Sequence, residues 1–334
     1  MITRKFFSKL LALIVGCICV YIAYSSNNSN TYSINGSAYG TYWSVTSTEF
    51  IADHHDKNIK KIINKVDMVA SNYKPDSEVA LLNQRPIDTP ITISSDLYNI
   101  LVIAKDIHNI SDGFYDISLG KVSSELGFAP SFNQDLKQEI LSDYLLLDNL
   151  TIIKSSNNWF DLSSIAKGYA VQLIHEYLIQ NNLPNHLIDI GGELIINGTN
   201  NDLPWKVGIQ NPASLTDNAI YIIENDNDFL SIATSGEYRN YKVNSDNQKI
   251  SHTLNPKTLS SIKSKALSVT VAHKTSATYA DALATAFNAI GYPESLDYAN
   301  KQNIALMLVV ELDNEFKLMF SNLYKFFILR FLFL

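Results

Sequence analysis

Apolar residues recur every three or four positions in four stretches of the chain, and this spacing predicts helices. The stretches cover residues 54–69, 96–110, 166–180 and 278–290. Shorter segments in which apolar and polar residues alternate predict strands. These segments cover residues 41–46, 186–190, 205–209, 219–223, 267–271 and 304–310. Because helices and strands are interspersed without the regular alternation of a doubly wound sheet, the pattern predicts an α+β fold.

The first 24 residues carry the signal of a leader sequence or a membrane anchor. Arg4, Lys5 and Lys9 precede an uncharged apolar run at residues 10–24, and this order is typical of signal peptides and anchors. The run is short for a bilayer span of about 20 residues, and Cys17 lies in a sequence that also resembles a lipobox. An anchor is favoured, and lipidation stays open. Because the positive end remains in the cytoplasm, we expect the body on the periplasmic side of the inner membrane.

After the anchor, the pattern divides the chain into three parts. Residues 25–33 are rich in Ser and Asn and predict a short polar linker. Residues 34–322 hold the periodic segments and predict the folded body. Residues 323–334 are apolar apart from two basic side chains and are too short to span a bilayer. Packing on the body, contact with the membrane surface and an aberrant terminus all stay open for this tail.

Composition excludes several classes of function. The chain has 334 residues, of which 46% are hydrophobic and 18% charged, as in ordinary globular proteins. A net charge of −7 without a basic stripe argues against nucleic-acid binding. Both cysteines, Cys17 and Cys19, lie in the first segment, so the body has no thiol nucleophile or cysteine metal ligand. The sequence also contains no P-loop, G-x-G-x-x-G, G-x-S-x-G or H-E-x-x-H motif.

Asp281 and Thr285 form the strongest local constellation. They lie four residues apart in the segment ADALATA, so on a helix they share a face. A carboxylate and a hydroxyl presented together among small residues suit a hard cation such as Mg²⁺. A surface Asp and a Thr bonded to its own helix would have the same spacing, and spacing alone favours this plainer alternative.

Four further segments are candidates for a ligand site, and each has a plainer alternative. Residues 161–170 predict a strand end passing into a helix, where free N–H groups and Lys167 would attract phosphate, or simply a capped helix. Residues 189–193 contain two glycines that allow either close approach of a ligand or an ordinary hairpin turn. Tyr73 could stack on a flat ring or fill core. His252 lies in a polar turn and could transfer protons near neutral pH, although most lone histidines do not.

The order of these segments resembles that of the ApbE family of FAD:protein FMN transferases, over about residues 34–318. The matching stretches are GTYWSV at 40–45, YKPDSE at 73–78, GFYDISLG at 113–120, DLSSIAKGYA at 161–170, DIGGE at 189–193, ATSGEYRNY at 233–241, SH at 251–252 and ADALAT at 280–285. So many matches in the same order make coincidence improbable. The sequence departs from the family at three positions, where the family usually has Met, Asp and Gly in place of Tyr39, Asn255 and Leu259.

The resemblance implies a fold and a set of site residues. The fold would be a T-fold-like, two-lobed α+β body with mostly antiparallel sheets flanked by helices. FAD would lie in a cleft between the lobes and contact Tyr39, Tyr73, Phe114, Tyr115, Asp116, Asp161, Lys167 and Leu254. Mg²⁺ would be bound by Asp281, Thr285 and the backbone carbonyl of Ser164. The candidate catalytic residues are His252, for proton transfer, and Asp281, as a metal ligand and potential base.

The resemblance also implies an activity and its partners. A Thr or Ser hydroxyl of a partner flavoprotein would attack FAD, keep FMN through a phosphoester and release AMP. The acceptors would be subunits of membrane redox complexes, such as the Na⁺-translocating NADH:quinone reductase or Rnf complexes. Two alternatives stay open: a Mg²⁺-dependent FAD pyrophosphatase that gives FMN and AMP, and a non-catalytic FAD-binding lipoprotein.

Overall fold

The computed structural model describes residues 31–130, 143–212, 219–236, 241–243, 249–262, 264–313 and 315–328. The predicted anchor and the candidate lipobox lie outside the described residues, as does most of the predicted linker. Within these ranges, every helix is too short or too polar to cross a bilayer.

The chain forms eight helices and seventeen strands within the described ranges. The helices are α1 (Asp53–Ala70), α2 (Glu78–Asn83), α3 (Ser95–Ile110), α4 (Gly120–Glu125), α5 (Ala166–Gln180), α6 (Ala277–Ile290), α7 (Glu294–Lys301) and α8 (Asn322–Ile328). The first nine strands are β1 (Tyr32–Ala38), β2 (Thr41–Ser47), β3 (Ile91–Thr92), β4 (Tyr144–Leu147), β5 (Thr151–Lys154), β6 (His186–Ile190), β7 (Glu193–Asn197), β8 (Lys206–Gln210) and β9 (Ala219–Glu224). The others are β10 (Leu230–Gly236), β11 (Tyr241–Val243), β12 (Lys249–Ser251), β13 (Leu254–Asn255), β14 (Ser260–Ser261), β15 (Ala266–His273), β16 (Ala305–Leu312) and β17 (Glu315–Phe320). All four predicted helices and all six predicted strands are confirmed, with small differences at their ends.

The central feature is an eight-stranded sheet in the order β1-β2-β6-β7-β10-β15-β16-β17. Each neighbouring pair in it is antiparallel. Smaller sheets are formed by β3-β5-β4 and by the pairs β8-β9, β11-β12 and β13-β14. The predicted α+β class, with mostly antiparallel sheets flanked by helices, is therefore confirmed, while the two-lobed, T-fold-like arrangement stays a prediction.

The two faces of the central sheet bury different sets of residues. Trp43 and Val45 of β2 and Ile188 and Ile190 of β6 pack with helices α1, α3, α5 and α6 in the main core. On the opposite face, the β8–β9 hairpin and α8 cover β7, β10 and β16 in a second core. Because side chains alternate along a strand, consecutive residues of the same strand face either the helices or the hairpin.

Two predicted boundaries need correction. Tyr32 and Ser33, placed in the polar linker, belong to β1 and pair with Ser47 and Thr46 of β2. Residues 323–328, placed in the apolar tail, belong to α8, and Tyr324 is fully buried in the second core, which agrees with the open alternative that the tail packs on the body. Both errors arise because strand pairing and packing, rather than local pattern, decide the structure of these short segments.

Candidate active site

A single cavity of about 1320 Å³ collects the residues that the sequence singled out. All twelve predicted site residues line it: Tyr39, Tyr73, Phe114, Tyr115, Asp116, Asp161, Ser164, Lys167, His252, Leu254, Asp281 and Thr285. They come from segments more than two hundred residues apart in the chain. The fold therefore brings the predicted flavin, metal and catalytic residues to one place.

Helix α6 presents Asp281 and Thr285 to the cavity. The neighbouring alanines of α6 are buried, and the helix lies very close to α5. The Asp281 carboxylate is buried, and its Oδ2 accepts the backbone N–H of Gly168 at 2.8 Å. A Cβ at Gly168 would lie only 2.6 Å from the Cβ of Asp281, so this approach requires glycine. The plainer alternative, a surface aspartate, is wrong.

Lys167, in the first turn of α5, forms a 2.5 Å ion pair with Glu193 at the start of β7. Burial lowers the pKa of Lys167, but the Glu193 and Asp281 carboxylates outweigh this effect and raise it above its ordinary value. Burial raises the pKa of Glu193, and the Lys167 ammonium partly offsets this rise. Burial, followed by the Glu193 charge, raises the pKa of Asp281 well above its ordinary value. The three groups thus form one charge network, in which both carboxylates are buried and Lys167 is partly exposed.

The donor set of this network fits a hard cation. Both carboxylates have raised pKa values, and a bound cation would favour their ionised forms. Thr285 and Ser164 line the same cavity and add hydroxyl and carbonyl oxygens, which Mg²⁺ prefers. Across the described ranges, no cluster of three or more acidic, His or Cys side chains could hold a metal by itself. Mg²⁺ usually takes one or two carboxylates and completes its shell with substrate phosphates and water, so these residues fit Mg²⁺ beside a bound phosphate.

Two tyrosines with hydrogen-bonded hydroxyls form part of the cavity wall. The buried Tyr115 hydroxyl lies 3.0 Å from the Ser164 hydroxyl, and burial raises the pKa of Tyr115 well above its ordinary value. Tyr39 donates to the carbonyl of Ile63 at 2.7 Å, which fastens the β1–β2 turn to α1. Both contacts hold aromatic rings in fixed positions at the cavity.

Tyr73 and Phe114, the other two aromatic residues among the predicted FAD contacts, lie closer to solvent. Tyr73 is 70% exposed and donates to the carbonyl of Phe128 at 2.8 Å, so it does not fill core. The ammonium of Lys257 lies 4.0 Å from the centroid of the Phe114 ring, which is within the range of cation–π contacts. An exposed ring and a partly covered ring at one cavity can stack on a flat aromatic ligand.

Asp116 and Asp161 close local turns as well as lining the cavity. Asp116 Oδ1 accepts the backbone N–H and the hydroxyl of Ser118 at 2.8 and 2.7 Å, and Asp161 Oδ1 accepts the N–H of Ser163 at 3.0 Å. Residues 155–165 form a loop before α5, so the predicted strand end is wrong. The Asp161 side chain accepts a hydrogen bond from the backbone N–H of Ser163, which in a strand would be available to a neighbouring strand.

His252 and Leu254 reach the cavity from the segment between β12 and β14. The His252 ring lies edge-on to Phe128, with the ring centroids 6.3 Å apart. In the β13–β14 turn, Leu259 has a φ of 51°, in the left-handed region that side chains disfavour. A glycine at this position would adopt the same conformation without strain.

Glu193 and Phe128 line the cavity, and neither had been assigned a role from sequence. Glu193 ends the DIGGE segment, and an acid directly after two glycines is a signal that could have been followed. Phe128 belongs to no motif, yet it contacts both Tyr73 and His252. Only the tertiary structure reveals its position.

Comparison with known proteins agrees with this geometry. A profile of the ApbE family matches residues 39–308. An FAD:protein FMN transferase of Haemophilus influenzae is 30% identical over 94% of this chain and 97% of its own length, and one of Escherichia coli is 28% identical over 88% of each. The solved structure of the flavin transferase ApbE from Vibrio cholerae has a TM-score of 0.78 and 27% identity, and the match covers 90% of this chain and 99% of that one. The chain therefore belongs to the ApbE family of flavin transferases.

Proposed function

We propose that the protein transfers FMN from FAD to a Thr or Ser hydroxyl of a partner flavoprotein, with release of AMP, in a Mg²⁺-dependent reaction. The observation that carries this proposal is one cavity that holds both an aromatic wall and the charge network of Lys167, Glu193 and Asp281. An aromatic wall suits the flavin ring, and a charged network suits the pyrophosphate. Membership of the ApbE family supports the same reaction.

The chemistry is a displacement at the FMN-side phosphorus. The hydroxyl oxygen of the acceptor forms the new P–O bond, and the bond from that phosphorus to the AMP oxygen breaks. His252 takes the hydroxyl proton, and a proton is returned to the departing AMP, so charge and atoms balance. Lys167 places a positive charge against the phosphates, and Tyr73 and Phe114 orient the flavin.

Asp281, Thr285 and the carbonyl of Ser164 would hold Mg²⁺ in this cavity. When bound there, Mg²⁺ neutralises the charge that develops on the pyrophosphate oxygens. The Gly168 N–H keeps the Asp281 carboxylate in place.

The proposal extends to location and partner. The basic start and apolar run of residues 1–24 support an anchor in the inner membrane, with the body on the periplasmic side. We propose that the acceptors are flavoprotein subunits of membrane redox complexes, of the Na⁺-translocating NADH:quinone reductase or Rnf type.

The test is to incubate the 334-residue chain with FAD, Mg²⁺ and a soluble domain of the flavoprotein subunit of such a reductase. Mass spectrometry of the acceptor should show one added FMN on a Thr or Ser, in amounts equal to the AMP released. Equal amounts of free FMN and AMP with an unmodified acceptor would favour the pyrophosphatase instead. Bound FAD with neither product would favour storage.

A further inference from the structure

The cavity continues from the predicted FAD contacts to the other face of the central sheet. Trp43 and Val45 of β2 face the helices, so Tyr42, which precedes Trp43, faces the β8–β9 side. Leu194 follows Glu193 in β7 and packs in the second core. We call this part of the cavity the hairpin-side arm, and its lining residues are Tyr42, Leu187, Leu194, Lys206, Val207 and Ile209.

A turn without side chains separates the hairpin-side arm from the charge network. Gly191 and Gly192 connect β6 to β7 and line the cavity. A Cβ at Gly191 would lie 2.6 Å from the Cγ2 of Thr41, so a larger residue would not fit there. Glu193 and Leu194 are consecutive, yet one belongs to the charge network and the other to the arm. The arm therefore adjoins the place where the phosphates would react.

The cavity is larger than an ordinary small-molecule site. Small-molecule sites usually measure about 300–1000 Å³, and this cavity measures about 1320 Å³. None of the predicted FAD contacts lies in the hairpin-side arm. The proposed reaction also needs a polypeptide hydroxyl beside FAD, so part of the cavity has to admit a protein segment.

Tyr42 has the character of an interface residue. It is 81% exposed, the largest fraction among the large apolar and aromatic side chains of the described residues. Its backbone is fixed on both sides, because it pairs with Ser37 of β1 and its carbonyl accepts the N–H of Gly191 at 3.1 Å. An exposed aromatic ring on a rigid backbone loses little entropy on binding, and such rings are frequent anchors in protein interfaces.

We propose that the hairpin-side arm binds an extended segment of the acceptor flavoprotein and directs its hydroxyl past Gly191 and Gly192 toward FAD; this inference rests on the proposed function. Apolar side chains of the segment contact Leu187 and the small exposed parts of Val207 and Ile209 that line the cavity. Tyr42 packs against the segment at the rim. Lys206, which is exposed and paired with Glu224 at 2.7 Å, offers a donor to carbonyl or carboxylate oxygens of the segment.

The experiment compares Tyr42→Ala with the wild-type chain and with two controls. Tyr42→Phe keeps the ring, and Phe50→Ala removes a ring that is 66% exposed and does not line the cavity. For each chain we measure KM for the acceptor domain at saturating FAD, kcat, Kd for FAD by flavin fluorescence, and Tm. Binding of the acceptor domain to each immobilised chain is also measured without FAD, so that the docking surface is tested even if no FMN is transferred.

We expect Tyr42→Ala to raise the acceptor KM, or the acceptor Kd measured without FAD, about tenfold or more, as loss of an interface anchor does. For Tyr42→Ala, the Kd for FAD and kcat should stay within about twofold of the wild-type values, and Tm should stay within about one degree. Tyr42→Phe and Phe50→Ala should behave as wild type in every measurement. A rise in FAD Kd with unchanged acceptor binding would overturn the proposal and assign the arm to FAD. Acceptor binding by Tyr42→Ala equal to that by Phe50→Ala would also overturn it. If wild type binds the acceptor but transfers no FMN, the proposed function fails separately.

Discussion

Replacing Gly168 by alanine should disturb the site through the contact between α5 and α6. The new Cβ would lie 2.5 Å from the carbonyl oxygen of Ala277 and 2.6 Å from the Cβ of Asp281. Carbon atoms prefer about 3.5–4.0 Å, so the two helices would have to separate by roughly an ångström. The contacting atoms are all backbone or Cβ atoms, which cannot rotate away.

Two opposing effects set the stability of this variant. Overpacking of a tight contact costs about 1–3 kcal/mol, while alanine in place of glycine in a helix returns about 1 kcal/mol. We therefore expect a net loss of stability of up to about 2 kcal/mol and a Tm lower by up to a few degrees. The effect on activity should be larger, because the Gly168 N–H positions the carboxylate of Asp281, the proposed Mg²⁺ ligand, and a misplacement of about 1 Å in an active site can cost about 100-fold.

The assay combines thermal unfolding with the rate of FMN transfer as a function of Mg²⁺ concentration. Gly36→Ala is the stability control, because its Cβ would lie 2.8 Å from the Nε1 of Trp43 and Gly36 does not line the cavity. Gly168→Ala should need more Mg²⁺ for its half-maximal rate, since the displaced carboxylate binds the cation less well. A variant with wild-type Tm, rate and Mg²⁺ dependence would refute the role of this contact.

Three further outcomes are expected. Asp281→Ala should lower FMN transfer at least 100-fold and leave the Kd for FAD within a few-fold, because the loss is one of transition-state charge stabilisation; EDTA-insensitive turnover at the wild-type rate would contradict this. His252→Ala should slow transfer by about 10²–10⁴-fold with FAD still bound, and an unchanged pH–rate profile would remove His252 from proton transfer. Burial lowers the pKa of His175 and His186 to about 4. Between about pH 6.5 and pH 4 the unfolded chain therefore binds more protons than the folded chain, and stability should fall as the pH is lowered through this range. The plot of Tm against pH should be flatter for His175→Gln, and an equally steep plot would argue against the role of this pair.

The spacing of apolar residues predicted the long helices and strands because each of them buries one face, on which apolar residues recur at regular intervals. The helix at 278–290 was visible from its spacing, and Asp281 and Thr285 could be placed together because both lie on it. β1 was missed because its residues are mostly exposed and polar, and it becomes a strand only by pairing with β2. The same limit applies to any short segment whose partner lies elsewhere in the chain.

The site was predictable as a set of segments, whereas its internal contacts were not. The pair of Lys167 and Glu193 depends on how α5 packs against β7, which no spacing within either segment reveals. Phe128 lies between Tyr73 and His252 without belonging to a recognisable motif. Contacts of this kind join residues that are distant in sequence, and tertiary packing decides them.

Tyr324 bears on the order in which the chain can become folded. Its side chain fills the second core together with Trp205, Ile232 and Met307, so this side of the sheet is incomplete until residue 324 is present. A partly synthesised chain cannot complete a core whose segments are not all present, because its apolar surface then stays exposed. The β8–β9 hairpin therefore leaves apolar surface uncovered throughout elongation, and a chain that stops before Tyr324 should be a preferred client of chaperones and proteases.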